Sequence, residues 1–390
     1  MTAICLLNAL ALMGGIAPSL ATNPPDIVVI LTDDMRADDW RILDDTQRLV
    51  GGTWFPNFVY NTPLCCPFRA SFQRGQMAHN TGIENNNDGS KFTALDDDTI
   101  ATALHDAGYH TAYVGKYMNE YTGQPPGWDD WQGDDGTDAK SRYYLDGTYV
   151  TTLITTRALA AIAAAPAEQP LFLMIGHDAD HDPWPPEAKY ANADVGPTRN
   201  ADDAARKRTL LSVDDSTEAI AAALGDRWDN AVVLVASDNG YLLGEHDTTG
   251  KSIWWDEVSR CPVLLRAPGI PAGTDLRMIS TVDLPATLLR AAGAEMRHPL
   301  DGRPLQDSWQ REGVLIESWD KKSAGNKRLP FTAIRGDGWV YVEAQGKAPQ
   351  YYLLADGESV DHYGELAADK QQRLAAWLAD LRDCHGAECG

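Results

Sequence analysis

The sequence is short of basic residues and of long apolar runs, and each shortage excludes a class of protein. Lys and Arg number 33 against 56 Asp and Glu, which gives a formal net charge of −23 at pH 7. Such a negative field repels polyanions, so we expect no nucleic-acid partner. After the N-terminus no apolar run approaches the roughly 18 residues that span a bilayer, so we expect no membrane partner either.

Cysteine is also scarce. Six cysteines in 390 residues are too few for a disulfide scaffold. Cys384 and Cys389 lie in the polar tail C-H-G-A-E-C and are placed to close a small loop in an oxidising compartment. Cys261 opens the apolar run C-P-V-L-L and is typical of an inert core thiol. Cys65 and Cys66 need a separate explanation.

The N-terminal segment lacks positive charge. Residues 1–21 are apolar and end in a stretch of small residues, with Pro24 and Pro25 just beyond. This pattern predicts a secretory signal peptide over residues 1–22 and a secreted or periplasmic protein. Because no Lys or Arg precedes Arg36, the basic start of such a signal is missing. A buried N-terminal helix or a misassigned start is the alternative.

Short β-branched or aliphatic runs alternate with amphipathic helical patterns. This alternation predicts an α/β fold with a mostly parallel central sheet flanked by helices. The predicted strands are residues 26–31, 111–114, 171–175, 231–236 and 262–265. The predicted helices are residues 99–107, 152–165, 202–224 and 284–292. Residues 123–136, rich in Gly, Pro, Asp and Trp, are typical of a long loop.

The pattern changes near residue 307. Alternating strands at 331–335 and 339–343, followed by a helix at about 367–381, predict a small antiparallel sheet with a closing helix. We therefore predict a catalytic α/β domain over residues 23–306 and an antiparallel subdomain over residues 307–390.

Polar segments follow four of the predicted strands. They are Asp33-Asp34, Gly115-Lys116, H-D-A-D-H at 177–181 and S-D-N-G at 237–240. In an open α/β sheet, ligands bind outside the carboxyl ends of the strands, so these segments are expected to converge on one site.

Four of the residues at these strand ends are candidate metal ligands. Asp33, Asp34, Asp238 and Asn239 supply the hard oxygen atoms that calcium prefers. Each pair alone is also common at turns and helix starts. Together at strand ends they predict one calcium site in the chain.

Residues 61–75, N-T-P-L-C-C-P-F-R-A-S-F-Q-R-G, contain C-x-P-x-R with Cys65, Pro67 and Arg69 in register. Here the chain resembles the sulfatase family of the alkaline phosphatase superfamily, whose signature C-x-P-S-R marks a cysteine oxidised to formylglycine (3-oxoalanine) by a dedicated maturation enzyme. Further segments look like family blocks in family order: I-V-V-I-L-T-D-D-M-R at 27–36, G-K-Y-M-N-E-Y at 115–121, H-D-P-W at 181–184, S-D-N-G-Y at 237–241, G-E-H at 244–246, Lys251, and D-L-P-A-T-L-L-R-A-A-G at 283–293.

The segment G-K-Y-M-N-E-Y followed by P-P-G-W looks most like the glucosamine-6-sulfatase branch of the family. Met118 stands where the arylsulfatase pattern has His. The resemblance spans nearly all of the mature chain, and it implies an alkaline-phosphatase-like fold. The expected activity is hydrolysis of sulfate monoesters on a sulfated sugar, for example 6-O-sulfated glucosamine.

The resemblance also implies roles for individual residues. A formylglycine hydrate derived from Cys65 would bind calcium and attack sulfur, and Arg69 would steady that side chain. The cationic side chains of Lys116, Lys251 and His181 would hold the sulfate oxygens. Either Lys251 or His181 would protonate the departing alcohol. His246 is expected at the rim of the pocket, either in proton transfer or in a surface hydrogen bond.

The motif is not matched throughout, because Phe68 stands at the Ser position of C-x-P-S-R. Two alternatives therefore stay open. One is a phosphodiesterase or phosphonate monoester hydrolase of the same superfamily, since calcium and formylglycine also serve phosphoryl transfer. The other is a catalytically silent binding protein that keeps Cys65 as a thiol.

Overall fold

A computed structural model describes residues 24–134, 143–320 and 328–389. The predicted signal peptide at 1–22 lies outside these residues. In the described part of the chain, no helix combines the length and apolar character needed to cross a membrane.

An eight-stranded sheet forms the centre of the molecule. Its strands are β1 (Ile27–Thr32), β2 (Thr53–Phe55), β3 (His110–Lys116), β4 (Asp130–Asp134), β5 (Leu171–Gly176), β6 (Val232–Ser237), β7 (Val263–Arg266) and β8 (Gly273–Thr274). Their order across the sheet is β8-β2-β7-β6-β1-β5-β3-β4. Of these eight strands, β7 alone runs antiparallel to its neighbours. The mostly parallel sheet confirms the predicted fold class.

Strand β1 lies between β5 and β6 and pairs with both in parallel. All residues of β1, β5 and β6 are buried, as expected for strands covered on both faces. Strand β1 is the six-residue run I-V-V-I-L-T, which is too short for an amphipathic helix and rich in β-branched residues. Its carboxyl end is therefore held firmly beside the ends of β5 and β6.

Helices flank this sheet. They are α1 (Asp44–Val50), α2 (Cys65–Arg74), α3 (Ala78–Thr81), α4 (Ile100–Asp106), α5 (Val150–Ala164), α6 (Ala201–Leu224), α7 (Asp226–Asn230), α8 (Asp256–Ser259), α9 (Asp283–Ala292) and α10 (Ala368–Arg382). One group consists of α1, α5 and α6, and a second consists of α2, α4 and α9.

Local sequence explains where these helices begin and end. The Asn200 side chain accepts a hydrogen bond from the Asp203 amide and caps α6, the longest helix described. Helix α2 ends at Gly75, whose φ of 62° is the left-handed conformation that glycine adopts without strain.

The predicted strands and helices are all present, with boundaries shifted by a residue or two. The predicted loop at 123–136 is partly wrong, because residues 130–134 form β4 and pair with β3. Residues 135–136 lie outside the described part of the chain. Strand β4 was missed because D-W-Q-G-D has neither alternation nor an apolar run. The short strands β2 and β8 were missed as well.

A second sheet lies in the C-terminal part. Its strands β9 (Gly313–Ser318), β10 (Phe331–Gly336), β11 (Trp339–Ala344) and β12 (Gln350–Leu353) form an antiparallel meander. Helix α10 packs on one face through Leu374 and Leu378. The opposite face packs against Val59, Leu242 and Trp254. The small antiparallel sheet and closing helix agree with the prediction. The boundary at 306–307 stays a prediction.

Three two-stranded pairs complete the fold. They join Phe58–Val59 with Ile279–Ser280, Tyr144–Leu145 with Thr148–Tyr149, and Leu242–Leu243 with Thr249–Gly250.

The C-terminal tail is closed by a disulfide between Cys384 and Cys389, the pairing that the sequence suggested. The Asn80 side chain donates to the Cys384 carbonyl at 2.9 Å. His79 bridges the same carbonyl, at 2.9 Å, and the buried carboxylate of Glu317, at 2.8 Å. Since Glu317 lies at the end of β9, His79 connects the tail, α3 and the second sheet.

We predict that His79 makes stability depend on pH. Burial disfavours its charge, but hydrogen bonding to Glu317 raises the pKa of His79 to about 9. Its stabilising contribution is therefore complete below the unfolded pKa of about 6.5 and is lost as the pH rises through about 9. The difference in free energy of unfolding between wild type and His79→Gln should shrink by about 1–2 kcal/mol from pH 6 to pH 10.

Urea titrations at the two pH values measure this difference. His362→Gln is the control, because His362 pairs with Asp356 and Glu365 at the surface and should contribute little. A difference for His79→Gln that does not change with pH would contradict the prediction.

Candidate active site

The carboxyl ends of three parallel strands deliver the polar side chains of the site. Asp33 and Asp34 follow β1, Asp238 and Asn239 follow β6, and Lys116 is the last residue of β3. All five side chains are buried. The strands approach closely here, since a Cβ atom on Gly115 would lie 2.1 Å from the Gly176 carbonyl oxygen. Glycine at this position lets β3 and β5 bring their ends together.

Asp33 is surrounded by cations. Lys116 Nζ forms an ion pair with Asp33 Oδ2, Lys251 Nζ lies 3.7 Å from Oδ1, and Arg69 Nη2 lies 4.0 Å from Oδ2. Burial opposes ionisation, but these charges, led by Lys116, hold the pKa of Asp33 well below its ordinary value. The Asp33 side chain is therefore an anion at neutral pH.

Asp34, Asp238 and Asn239 lie against one another. The Asn239 amide nitrogen donates to Asp34 Oδ1 at 2.5 Å, and the Asp34 backbone amide donates to Asp238 Oδ1 at 3.3 Å. Arg69 donates from Nε and pairs through Nη2 with Asp238 Oδ2, both at 2.9 Å. Burial, together with the charge of Asp33, raises the pKa of Asp238. The repulsion between the Asp33 and Asp238 carboxylates favours a cation near them.

Cys65 opens helix α2 and its side chain points at this cluster. Its sulfur lies 3.4 Å from Asp33 Oδ1 and 2.8 Å from Lys251 Nζ, and the residue is fully buried. Burial, reinforced by Asp238 and Asp33, raises the pKa of the Cys65 thiol to about 12. As a thiol, Cys65 is protonated and a poor nucleophile.

The two histidines are placed differently. His181 Nε2 lies 3.8 Å from Asp34 Oδ2, so His181 borders the cluster. His246 stacks on Trp255 with ring centroids 4.2 Å apart, and its Nε2 lies 3.4 Å from Glu257. The contacts described for His246 are thus with residues at the start of α8 and within it. The other predicted catalytic residues do come together with the predicted metal ligands Asp33, Asp34, Asp238 and Asn239; they are Cys65, Arg69, Lys116, His181 and Lys251.

The donor set suits a hard divalent cation. Ligand atoms of Asp33, Asp34, Cys65 and His181 lie within 4.8 Å of one another. Among the described residues, Asp34 Oδ2 and Asn239 Oδ1 are buried without a hydrogen-bond partner. Buried oxygens left in this way are costly unless something neutralises them. A cation bound to these oxygens would remove that cost.

A cleft of about 910 Å³ opens onto the cluster at Leu64 and Lys251. Its other lining residues are Glu84, Asn85, Asn86, Asn87, Asp88, Trp319, Asp320, Arg328, Pro330 and Gln345. The sequence did not predict these other lining residues as part of the site. They belong to none of the family-like segments and to no strand end of the central sheet, and the only available signal was the run of polar residues E-N-N-N-D.

Phe68 is the residue that departs from the sulfatase signature. It is fully buried, and its ring packs against Tyr60 and Phe72 with centroids 5.6 and 6.2 Å apart. In the folded chain Phe68 therefore serves the core beneath α2 and stays away from the cluster.

Comparison with known proteins identifies relatives across most of the chain. The family model described as Sulfatase matches residues 25–294. The N-acetylglucosamine-6-sulfatase of Homo sapiens is 28% identical over 81% of this chain and 71% of its own length. Proteins of Caenorhabditis elegans and Drosophila melanogaster named as extracellular sulfatase homologues are 29% and 28% identical over 85% and 78% of this chain. The chain spans only 54% and 34% of the length of these two.

Solved structures share the fold at low sequence identity. A structure described as a complex with its substrate D-glucosamine-2-N,6-O-disulfate matches with a TM-score of 0.80 and 20% identity, covering 92% of this chain and 98% of that one. A phosphonate monoester hydrolase of Agrobacterium radiobacter matches with a TM-score of 0.76 and 18% identity, covering 92% and 95%. These likenesses concern the fold alone, which agrees with the alkaline-phosphatase-like prediction.

We predict that Cys65 in its thiol form resists alkylation while the chain is folded. Its sulfur is buried and protonated, and iodoacetamide reacts with accessible thiolates. At about pH 8, Cys65 should remain unlabelled in the native chain and become labelled after unfolding in urea.

Peptide mass spectrometry of a chain produced without the maturation enzyme measures this labelling. Ser90→Cys provides an exposed thiol in the same molecule as a positive control. Native labelling of Cys65 at the rate of Cys introduced at position 90 would show that the prediction is wrong.

Proposed function

The chain belongs to the sulfatase family, and we propose that it hydrolyses sulfate monoesters with a nucleophile made from Cys65. The observation that carries the proposal is the position of this cysteine. Within the motif C-x-P-x-R, its sulfur lies 2.8 Å from Lys251 Nζ and 3.4 Å from Asp33 Oδ1. A residue oxidised at this position would face both anionic ligands and cations that hold sulfate.

We propose a sulfated sugar as the substrate, for example 6-O-sulfated glucosamine. Relatives named N-acetylglucosamine-6-sulfatase support this substrate class. The cleft of about 910 Å³ beside Lys251 has room for a sugar ring, and its asparagine and carboxylate side chains suit hydroxyl groups.

We propose that the metal is one calcium ion held by Asp33, Asp34, Asp238, Asn239 and the modified residue 65. Carboxylate and amide oxygens favour calcium over softer metals. When bound, calcium would supply Lewis acidity and charge neutralisation, and the formylglycine hydrate would supply a hydroxyl nucleophile.

The chain's own residues would then act on the sulfate and the leaving group. Lys116 and Lys251 would hold the sulfate oxygens, because both ammonium groups are buried beside the Cys65 position. Either His181 or Lys251 would donate the proton to the departing alcohol. Arg69 would fix the Asp238 carboxylate through its paired contacts at 2.9 Å. The role of His246 stays a prediction.

We also propose that the protein is secreted or periplasmic, with a signal peptide at 1–22 and a formylglycine-generating maturation enzyme as partner. Relatives named as extracellular sulfatases and the Cys384–Cys389 disulfide support this location. The proposed catalytic domain over 23–306 carries the cluster. The proposed subdomain over 307–390 contributes Trp319, Asp320 and Arg328 to the cleft.

We predict that activity depends on oxidation of Cys65. The peptide that contains Cys65, from protein made in a host with the maturation enzyme, should carry formylglycine. Cys65→Ala should lower sulfatase kcat by about 10³-fold or more, because it removes the nucleophile. Cys66→Ala is the matched control, since Cys66 is also buried and its sulfur lies 4.0 Å from the Asn119 carbonyl.

Three substrates separate the proposal from its alternatives. A 6-sulfated glucosamine, an aryl sulfate and an aryl phosphodiester are assayed with the same protein. A faster diester rate would favour a phosphodiesterase or phosphonate monoester hydrolase. An unmodified Cys65 with no turnover would favour a silent binding protein.

We predict that calcium stabilises the folded chain. A hundredfold excess over Kd contributes about 2.7 kcal/mol and should raise Tm by about 3 °C relative to chelator-treated protein. Asp238→Asn should reduce this shift, because it removes an anionic ligand.

Differential scanning calorimetry with calcium and with chelator measures the shift. Asp203→Asn is the control, because the cluster of Asp38, Asp39 and Asp203 is already neutralised by Lys207, which lies 2.8 Å from Asp203. An equal calcium shift in Asp238→Asn and Asp203→Asn would overturn the assignment of Asp238 as a ligand.

A further inference from the structure

Asp34 has a backbone conformation that side-chain-bearing residues rarely adopt. Its φ is 66°, in the left-handed region. This conformation is unfavourable for a residue other than glycine, so the surrounding structure must hold it. The conformation matters because it sets the direction of the Asp34 carboxylate in the cluster.

Hydrogen bonds on both sides hold this backbone. The Asp34 amide donates to Asp238 Oδ1 at 3.3 Å, and the next amide, of Met35, donates to Ser237 Oγ at 3.0 Å. The Asp34 carbonyl accepts from Arg206 Nη2 at 2.7 Å. The first two contacts come from the end of β6, whereas Arg206 belongs to α6.

Arg206 is itself anchored on several sides. It is fully buried, and its Nη2 lies 2.9 Å from Asp180 Oδ2 and 3.2 Å from Asp39 Oδ2. Its guanidinium carbon lies 5.8 Å from the centre of the Tyr241 ring. The Asp180 amide also donates to the Asp33 carbonyl at 2.8 Å. Arg206 therefore donates to the carbonyl of Asp34, and its partner Asp180 donates to the preceding carbonyl, that of Asp33.

We propose that Arg206 is a positioning residue for the cation site, acting through the backbone carbonyl of Asp34. This inference rests on the proposed function, because it concerns the ion assigned to Asp33, Asp34, Asp238 and Asn239. Arg206 contacts the backbone carbonyl of Asp34, and the carboxylate of the same residue belongs to the proposed site. Arg206 orients a ligand and touches neither substrate nor nucleophile.

Arg206 acts on the geometry of the Asp34 backbone. Without Arg206 the Asp34 carbonyl would be buried with no donor from α6, and an unpaired buried carbonyl is destabilising. Loss of this bond would let the turn relax, and any change in the φ of Asp34 would redirect its carboxylate relative to the cluster. Partners of metal ligands typically change metal affinity by about 10–100-fold when they are replaced.

Charge and geometry are separated by a charge-conserving substitution. The Nη2 atom of Arg206 makes the contacts with Asp34, Asp39 and Asp180. Arg206→Lys keeps the positive charge, but the lysine side chain is one bond shorter, so its ammonium group would not reach the position of Nη2. The matched control is Arg208→Lys, two residues along the same helix. Arg208 Nε donates to the Ala193 carbonyl at 3.0 Å, so the control also loses an arginine bond to a backbone oxygen.

The experiment measures the calcium Kd of the chelator-stripped mature chain by isothermal titration calorimetry, together with circular dichroism and Tm without metal. We expect Arg206→Lys to weaken calcium binding by about 10–100-fold and Arg208→Lys to stay within about twofold of wild type. A merely structural role for Arg206 would lower Tm and leave Kd unchanged.

The inference is overturned if folded Arg206→Lys binds calcium as tightly as Arg208→Lys. Should Arg206→Lys not fold, Arg206→Met combined with Asp180→Asn removes the guanidinium and its partner charge together, and the same Kd comparison decides. If the wild-type chain binds no calcium, the proposed metal site fails instead, so the two failures are distinguishable.

Discussion

The structure depends on the burial of three carboxylates, those of Asp33, Asp34 and Asp238, within one cluster. Isolated buried charges cost several kcal/mol each, so such a group persists only when it is matched by cations. Lys116, Lys251 and Arg69 supply this match inside the protein. The same cations are the groups that an anionic ester needs around it. Folding and substrate recognition therefore impose a common requirement on these positions.

The sheet meets this requirement because parallel strands end at one edge. Strands β1, β5 and β6 are apolar up to their last residue and are followed immediately by polar residues, so burial of the strands brings the polar ends together. Helix α2 then adds Cys65 from the side. Its first residue is buried against Asp33 and Lys251, and Phe68 packs into the core one turn later. The core thus explains why an aromatic residue is accommodated within the motif.

The cleft proposed to bind substrate is formed by parts of the chain that are far apart in sequence. The cleft beside Lys251 is lined by residues 84–88, which precede α4, and by Trp319, Asp320 and Arg328 around the second sheet. That sheet is held in place by its apolar contacts with Val59, Leu242 and Trp254 and by the His79–Glu317 pair. A change in the C-terminal part therefore alters the shape of the cleft without touching the carboxylate cluster.

Local pattern was enough to predict five strands of the central sheet, four of its flanking helices and the polar residues at the strand ends. Apolar runs, caps and turn glycines act on their immediate neighbours, so their effect is legible in a short window of sequence. The motif at Cys65 added the chemistry expected there. Strand β4, the cleft walls and the reach of Arg206 from α6 to the Asp34 carbonyl were decided only by the tertiary structure. The Arg206 contact alone joins residues 172 positions apart. Contacts of this kind depend on how helices pack on the sheet, which no local pattern encodes.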